Sequence, residues 1–167
     1  MTTTALDSRA LRSTLGRFAT GVTVVSTAGS DGIHAMTANA FTSVSLDPPL
    51  VLVSVDNRTR MHQLLPGTRR YGVSVLGAEQ ERLAMHFAGR PMADHEDPFA
   101  WECGVPVVRD AIAYFACDSY AEYEAGDHTL YLGQVRAFQA RPGRPLVFHA
   151  GEFTCVASEP VITSWGW

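Results

Sequence analysis

The chain has 167 residues, of which 46% are hydrophobic and 18% are charged, and its formal net charge at pH 7 is −4. This length fits one hydrophobic core, so we expect a single domain over 1–167 with loose tails at 1–8 and 158–167. The basic residues are not clustered, which argues against nucleic-acid binding because phosphate neutralisation needs a basic patch. All 13 basic residues are arginine, which excludes mechanisms that use a phosphate-loop lysine or a lysine Schiff base.

Cysteine spacing and hydropathy argue against zinc-binding, dithiol redox, secreted and membrane-spanning proteins. The cysteines are Cys103, Cys117 and Cys155, and their spacing fits neither a zinc site nor a redox C-x-x-C pair. We expect them to be reduced and mostly buried, and we expect no metal site. The N-terminal sequence lacks the apolar core of a signal peptide, and no segment reaches the ~18 apolar residues that a membrane span requires. A cytoplasmic protein without a membrane partner is therefore predicted.

The first half of the chain mixes short helices with strands. Leu11, Leu15 and Phe18 recur at helical spacing, which predicts an amphipathic helix over 7–19. A hairpin is predicted by the β-branched run VTVVST before the turn sequence AGSDG, with a return strand that starts near Ile33. Further predicted elements are a buried strand over 50–55, a short helix capped at Asp56, Asn57 or Thr59 and reaching Leu65, a strand over 71–76 and a helix over 79–87.

The second half is predicted to be almost entirely β. We expect a loop over 90–104, two long strands over 112–124 and 129–140 joined by the turn AGDH, and one or two strands over 146–156. These connections are hairpins and short helices rather than βαβ repeats. The pattern therefore favours a mainly β, closed antiparallel barrel over a doubly wound sheet.

Two short segments carry side chains suited to ligand binding. Small and hydroxyl side chains dominate 34–45, HAMTANAFTSVS, where a core strand normally carries large aliphatic residues. Small residues let a flat ligand approach the backbone, and amide or hydroxyl groups hydrogen-bond the edge of a heterocycle; a polar edge strand of a barrel has the same composition. The second segment is Gly126-Asp127-His128, either a hairpin turn with a surface histidine or part of a site. The sequence motifs of Rossmann domains, serine hydrolases and zinc proteases do not occur.

Taken together, these segments resemble the short-chain flavin reductase family, whose fold is the flavin-binding split barrel. The similarity runs from about residue 9 to 157, and its most specific part is the combination of TANAFTSVSLDPP with GDH. The matching stretches are LGRFATGVTVVST at 15–27, MTANAFTSVSLDPPLVLVSV at 36–55, FAGR at 87–90, GDH at 126–128 and PLVFHAGEF at 145–153. The resemblance implies a closed antiparallel split β-barrel with Greek-key character and a few short flanking helices.

The resemblance also implies where the flavin binds. The segment that lines the isoalloxazine ring comprises Met36, Thr37, Ala38, Asn39, Ala40 and Ser43. Of these, Thr37, Asn39 and Ala40 are implied to hydrogen-bond the edge of the ring. The segment near the ribityl and phosphate groups comprises Ser54, Val55, Asp56, Asn57, Thr59 and Arg60. A third cofactor-binding segment comprises Phe87, Ala88, Gly89 and Arg90. Arg60 and Arg90 carry the guanidinium groups that suit a phosphate.

The GDH match implies the nicotinamide site. Asp127 and His128 are assigned to it, and His128 is the residue assigned to catalysis. Hydride transfer needs no proton donor on the pyridine ring, so the implied role of His128 is to orient the nicotinamide carboxamide.

The function implied by the resemblance is hydride transfer from NADH or NADPH to FAD or FMN, with NADH and FAD favoured. The flavin would be a substrate or loosely bound, a homodimer would form, and a partner flavin-dependent monooxygenase would receive the reduced flavin. Three other readings are a flavin- or haem-binding split barrel without catalysis, an oxidase of the pyridoxamine-phosphate type, and an interaction module that uses the SWGW tail.

Overall fold

The computed structural model describes residues 6–93 and 96–156 of the chain. Its helices are α1 (Ser8–Leu15), α2 (Arg60–Leu64) and α3 (Glu81–Phe87), with 3-10 turns over Leu65–Gly67 and Ala78–Gln80. Its strands are β1 (Thr20–Gly21), β2 (Thr23–Gly29), β3 (Gly32–Ala38), β4 (Phe41–Leu46), β5 (Pro49–Asp56), β6 (Arg70–Val75), β7 (Phe99–Glu102), β8 (Val105–Val108), β9 (Ala113–Ala125), β10 (His128–Ala140), β11 (Leu146–His149) and β12 (Glu152–Cys155). Within these ranges, every helix is too short or too polar to span a membrane. The predicted tails lie mostly outside the described residues and stay predictions.

The N-terminal helix is shorter than predicted. The side chain of Asp7 accepts hydrogen bonds from the N–H groups of Arg9 and Ala10, at 2.9 and 3.3 Å, and so caps α1. Glycine has low helix propensity, and α1 ends just before Gly16. The apolar residues predicted to face the core are exposed, with relative exposures of 47% for Leu11, 66% for Leu15 and 79% for Phe18.

Seven antiparallel strands form the main sheet, in the order β3-β2-β6-β9-β10-β5-β4. The strands predicted over 50–55, 71–76, 112–124 and 129–140 are confirmed as β5, β6, β9 and β10. One buried core contacts the whole sheet, through Val25, Val51, Val53, Val55, Tyr71, Val73, Cys117 and Tyr131 and through Met36, Ala38 and Phe41 from the edge strands. A sheet whose strands all contact one core must be rolled around it, and Met61 and Leu65 complete this core from α2 and the following turn.

The rolled sheet does not close into the barrel that was predicted. β3 pairs with β2 and β4 pairs with β5, but within the described ranges no ladder joins β3 to β4. Only Asn39 and Ala40 separate these two strands, so the chain passes from one edge of the sheet to the other within about 11 Å. We call these two residues the corner. In the described part of the chain, β3 and β4 each pair with a single neighbouring strand. The two edges of the sheet are therefore joined by the covalent chain at the corner and not by hydrogen bonds.

A second apolar core lies on the outside of the rolled sheet. Its buried members are Val22, Val24, Leu76, Ala84, Phe99, Val108, Ala111 and Leu146. Helix α3 and the β11–β12 hairpin cover this core, because Leu83, Phe148 and Phe153 pack against it. Both sides of the sheet near β2 are therefore buried, whereas one side of β5 and β10 is left accessible.

The predicted loop over 90–104 contains part of a hairpin. β7 and β8 pair around Cys103 and Gly104, whose φ angles of 47° and 79° form a tight turn. The sequence pattern missed this hairpin because Pro106 lies inside β8, and proline within a short run argues against a strand. Cys103 and Cys155 are exposed, so the expectation of buried cysteines is confirmed only for Cys117.

Candidate active site

Strands β5 and β10 present two chemically different faces. They pair in antiparallel register, and opposed residues point to the same face while successive residues alternate. The outer face, which we call the platform, comprises the opposed pairs Asp56 and His128, Ser54 and Leu130, and Leu52 and Leu132. The inner face comprises Val51, Val53, Val55, Thr129 and Tyr131, each at most 5% exposed. The platform is therefore the part of these strands that a ligand can reach.

The register separates residues that the sequence grouped together. Val55 is fully buried in the inner core, so only its backbone could contact a ligand. Ser43 pairs with Val51 and lies on the inner side, whereas Thr42 pairs with Leu52 and lies on the platform side. Ser43 is nevertheless exposed and stays a predicted flavin contact, and Thr42 is a further candidate that could not be identified before the register was known.

The corner brings the predicted ring-binding segment to the platform. The carbonyl of Ala40 accepts a hydrogen bond from the N–H of Ser54 at 3.0 Å. Asn39 and Ala40 are exposed, whereas Met36 and Ala38 pack against the inner core. Within the predicted ring-binding segment 36–40, the corner is therefore the part accessible to a ligand.

Thr37 links this segment to α3. Its hydroxyl donates a hydrogen bond of 2.7 Å to the carbonyl of Ala84. The hydroxyl proton is thus committed to α3, and a flavin could use only the oxygen lone pairs of Thr37. The same contact fixes α3, and with it the segment 87–90, beside β3.

The segment 87–90 divides into a packed and an exposed part. The ring centroid of Phe87 lies 5.5 Å from that of Phe99 in the second core. Ala88, Gly89 and Arg90 are exposed, and Gly89 has a φ of 91° that favours glycine. Phe87 thus acts in packing, and Arg90 is the side chain here that can meet an anion.

A cavity of about 720 Å³ opens beside the corner. Its lining includes Asn39, Ala40, Thr42, Leu52 and Ser54 from the sheet, and Arg12, Leu15, Gly16, Phe18, Thr20 and Phe148 from the opposite side. This volume is in the range of small-molecule and cofactor sites. The Oγ1 atom of Thr20 is buried without a hydrogen-bond partner in the described part of the chain, and a polar atom of a ligand would satisfy it. The lining therefore fits a flat ligand with a polar edge.

His128 begins β10 next to the turn. Its Nδ1 atom lies 2.7 Å from Oδ1 of Asp127, and its side chain is 40% exposed. The hydrogen bond from His128, together with its charge, lowers the pKa of the Asp127 carboxyl. When the ring is neutral and Nδ1 carries its proton, Nδ1 donates to Asp127 and Nε2 is an acceptor. This arrangement can accept a hydrogen bond from an amide N–H group.

Asp56 and Asn57 are engaged by neighbouring protein groups. The Asp56 carboxylate accepts from the N–H of Arg58 at 2.8 Å and from its guanidinium at 3.1 and 2.7 Å. These bonds hold the pKa of Asp56 well below its ordinary range. The side-chain oxygen of Asn57 accepts from the hydroxyl of Thr129 at 2.8 Å, so it faces the β9–β10 turn. Most of the hydrogen-bonding capacity predicted for the ribityl group is thus used within the protein.

Thr59 and Arg60 differ in what they offer a phosphate. The hydroxyl of Thr59 donates to the carbonyl of Asp56 at 2.8 Å and accepts from the N–H of His62 at 3.2 Å. Thr59 therefore caps α2. Arg60 is exposed and its Nη2 lies 3.4 Å from Oδ2 of Asp31. The guanidinium of Arg60 is the better anion-binding group, because an exposed ion pair of this length is weak.

Comparison with known proteins identifies the family. Residues 15–157 match the flavin reductase like domain, and the chain belongs to this family. An NADH-dependent flavin reductase of a Rhodococcus species is 49% identical to it over 146 residues, which are 86% of this chain and 83% of the relative. The resemblance to flavin reductases inferred from the sequence is thereby confirmed.

Solved structures share the same fold. The styrene monooxygenase flavin reductase SMOB from Pseudomonas putida S12 superposes with a TM-score of 0.82 at 38% identity, covering 89% of this chain and 98% of that one. The NADH:FAD oxidoreductase SgcE6 of Streptomyces globisporus C-1027, solved in complex with NAD and FAD fragments, has a TM-score of 0.82 at 40% identity and covers 93% of this chain and 98% of that one.

Proposed function

We propose that this protein is an NADH-dependent flavin reductase that transfers hydride to FAD or FMN and supplies the reduced flavin to a partner monooxygenase. Family membership and the names of its relatives support this function. The observation that carries it is the meeting of the corner, Ser54 and His128 at one accessible face beside the 720 Å³ cavity. These were the segments that the sequence analysis assigned to flavin and nicotinamide, and they are far apart in the chain.

The flavin ring would lie at the corner, with its edge toward Asn39 and the backbone of Ala40. Ser54 and the orphan hydroxyl of Thr20 add polar groups near the same cavity. Arg60 and Arg90 are the exposed guanidinium groups of the predicted phosphate-binding segments, and Arg60 would exchange its weak pair with Asp31 for a phosphate. A site on an outer face, rather than inside an enclosed core, suits a flavin that enters and leaves in each turnover.

The nicotinamide would face His128. NADH supplies the hydride and the flavin accepts it, so the residues of the chain bind and orient both partners. Nε2 of His128 would accept a hydrogen bond from the carboxamide N–H, while Asp127 fixes the orientation of the imidazole ring. Alignment of the two rings then supplies most of the rate enhancement.

The exposed apolar residues of α1 and of the segment that follows it support a homodimer as the assembly. Leu11, Leu15 and Phe18 are accessible in the single chain, and apolar patches of this kind commonly mark an interface. Leu15 and Phe18 also line the cavity, so a second copy packed on α1 would lie next to the flavin site. Sedimentation should give a dimer at micromolar concentration, and a stable monomer would contradict this assembly. A cytoplasmic location is proposed because the cell's NADH pool is there.

Anaerobic stopped-flow reduction of FAD and FMN by NADH and NADPH tests the function. We expect rapid bleaching of free flavin with NADH, faster for FAD than for FMN and slower with NADPH. Failure of both nucleotides to reduce either flavin would overturn the proposal. Tight retention of oxidised flavin without turnover would instead favour a flavin-storage protein.

A further inference from the structure

Beyond the pairing of β5 with β10, the turn that carries His128 is tied to the end of β5 by the side chain and backbone of Asn57. The side-chain oxygen of Asn57 accepts from the hydroxyl of Thr129 at 2.8 Å, and the Asn57 N–H donates to the carbonyl of Asp127 at 3.0 Å. The Asn57 amide nitrogen lies 3.5 Å from the carbonyl of Gly126, at the limit of a hydrogen bond. Asn57 thus contacts Gly126 and Asp127 before His128 and Thr129 after it, but not His128 itself.

The hydrogen bond between Thr129 and Asn57 is shielded from water. Thr129 is 4% exposed, so water cannot readily replace its hydroxyl as the donor to Asn57. His128 itself pairs with Asp56 of β5 and with Ala125 of β9, and its ring is bonded to the exposed Asp127. The bond between Asn57 and Thr129 adds a buried side-chain contact next to this pairing. The orientation of the Asp127-His128 turn therefore depends in part on a hydrogen bond that His128 does not make.

We propose that Asn57 and Thr129 are positioning residues for the nicotinamide site. They hold the Asp127-His128 turn against the end of β5, so that the imidazole keeps one orientation on the platform. Because β5 also supplies Ser54 beside the flavin ring, the same contact sets the distance between the two substrates. This inference rests on the proposed function of His128.

Three threonine variants test the proposal. Thr129→Val keeps the shape and β-branching but removes the donor, Thr129→Ser keeps the donor, and Thr27→Val is the matched control. Thr27 is also buried in the sheet, 1% exposed, and donates one hydroxyl hydrogen bond of 3.1 Å to the carbonyl of Arg70. The general cost of losing a buried threonine hydroxyl is therefore comparable in the two valine variants.

The readouts are the Michaelis constants for NADH and FAD and the thermal midpoint. We expect Thr129→Val to raise the NADH constant by about 3- to 10-fold with the FAD constant within about 2-fold of wild type. Thr129→Ser should restore the NADH constant, and Thr27→Val should lower only the thermal midpoint. Equal effects of the two valine variants on NADH, or a thermal shift without a change in the NADH constant, would overturn the positioning role.

The double variant His128→Ala/Thr129→Val separates this inference from the proposed function. If Thr129 acts through His128, adding Thr129→Val to His128→Ala should change the NADH constant by less than about 2-fold. A full additional effect in the double variant would overturn the inference and leave the role of His128 intact. If His128→Ala alone has no effect on NADH, the nicotinamide site itself is misplaced.

Discussion

The two faces of β5 and β10 are formed by alternate residues of the same strands, yet they serve different ends. Val53 on the inner face is fully buried in the core, while its neighbour Ser54 on the outer face borders the cavity. The inner face holds the rolled sheet together, and the outer face remains polar enough to bind a ligand. Stability and binding should therefore be separable by changing adjacent residues of one strand.

The largest effect is expected on the free energy of unfolding, when Val53 on the inner face and Ser54 on the outer face are each replaced by alanine. Val53→Ala removes two buried methyl groups and leaves a cavity, which should lower the free energy of unfolding by about 2–3 kcal/mol. Ser54→Ala should change the free energy of unfolding by less than about 1 kcal/mol but raise the Michaelis constant for flavin. Urea unfolding and steady-state kinetics measure both quantities. Equal losses of stability in the two variants would remove the distinction between the faces.

Asn39→Leu tests the corner as the flavin-ring site. Leucine cannot hydrogen-bond the ring edge, so flavin binding should weaken by about 2 kcal/mol. Asn39 is exposed, and the thermal midpoint should therefore stay near wild type. Flavin titration by fluorescence quenching gives the affinity, and an unchanged dissociation constant would place the ring elsewhere.

A smaller and more selective effect is expected from His128→Ala. Losing one hydrogen bond to the nicotinamide should lower kcat/KM for NADH by roughly 5- to 30-fold, or about 1–2 kcal/mol, while flavin affinity is retained. The comparison with Asn39→Leu is informative because the two variants should affect different substrates. Parallel losses for NADH and flavin would indicate that His128 stabilises the hairpin instead.

The smallest effect concerns the outer surface away from the site. Hydrogen bonds and charge from Arg136, with a further contribution from Arg70, lower the pKa of Asp118. A carboxyl with a lowered pKa in the folded state stabilises the fold above its unfolded pKa of about 4, and this contribution is lost as pH falls through the folded value. Asp118→Asn should thus cost under about 1 kcal/mol at pH 7, and a smaller amount at pH 2 as the carboxyl becomes protonated. Denaturation at both pH values checks this, and a pH-independent cost would point to packing.

The sequence predicted the strands of the main sheet because one side of each is buried, and alternation is then visible. It also predicted the corner and His128 through their family resemblance. The side on which each residue lies was harder to predict, as Ser43 and Thr42 show, because β4 contains a register shift between Ser43 and Ser45. The pairing of Asn57 with Thr129 spans 72 positions of the chain, and local sequence patterns carry no signal at that separation.

The corner joins two edges of the sheet between which the described part of the chain forms no strand pairing. It is also the proposed binding site of the flavin ring. A ligand held there would contact both edges at once and oppose their separation during unfolding. Ligand binding to the folded state alone raises its stability by about 2.7 kcal/mol at a free concentration 100 times the dissociation constant. When flavin is released to a partner enzyme, this stabilisation by the bound ligand would be lost. The reductase would therefore pass through a less stable, more easily opened form in every catalytic cycle.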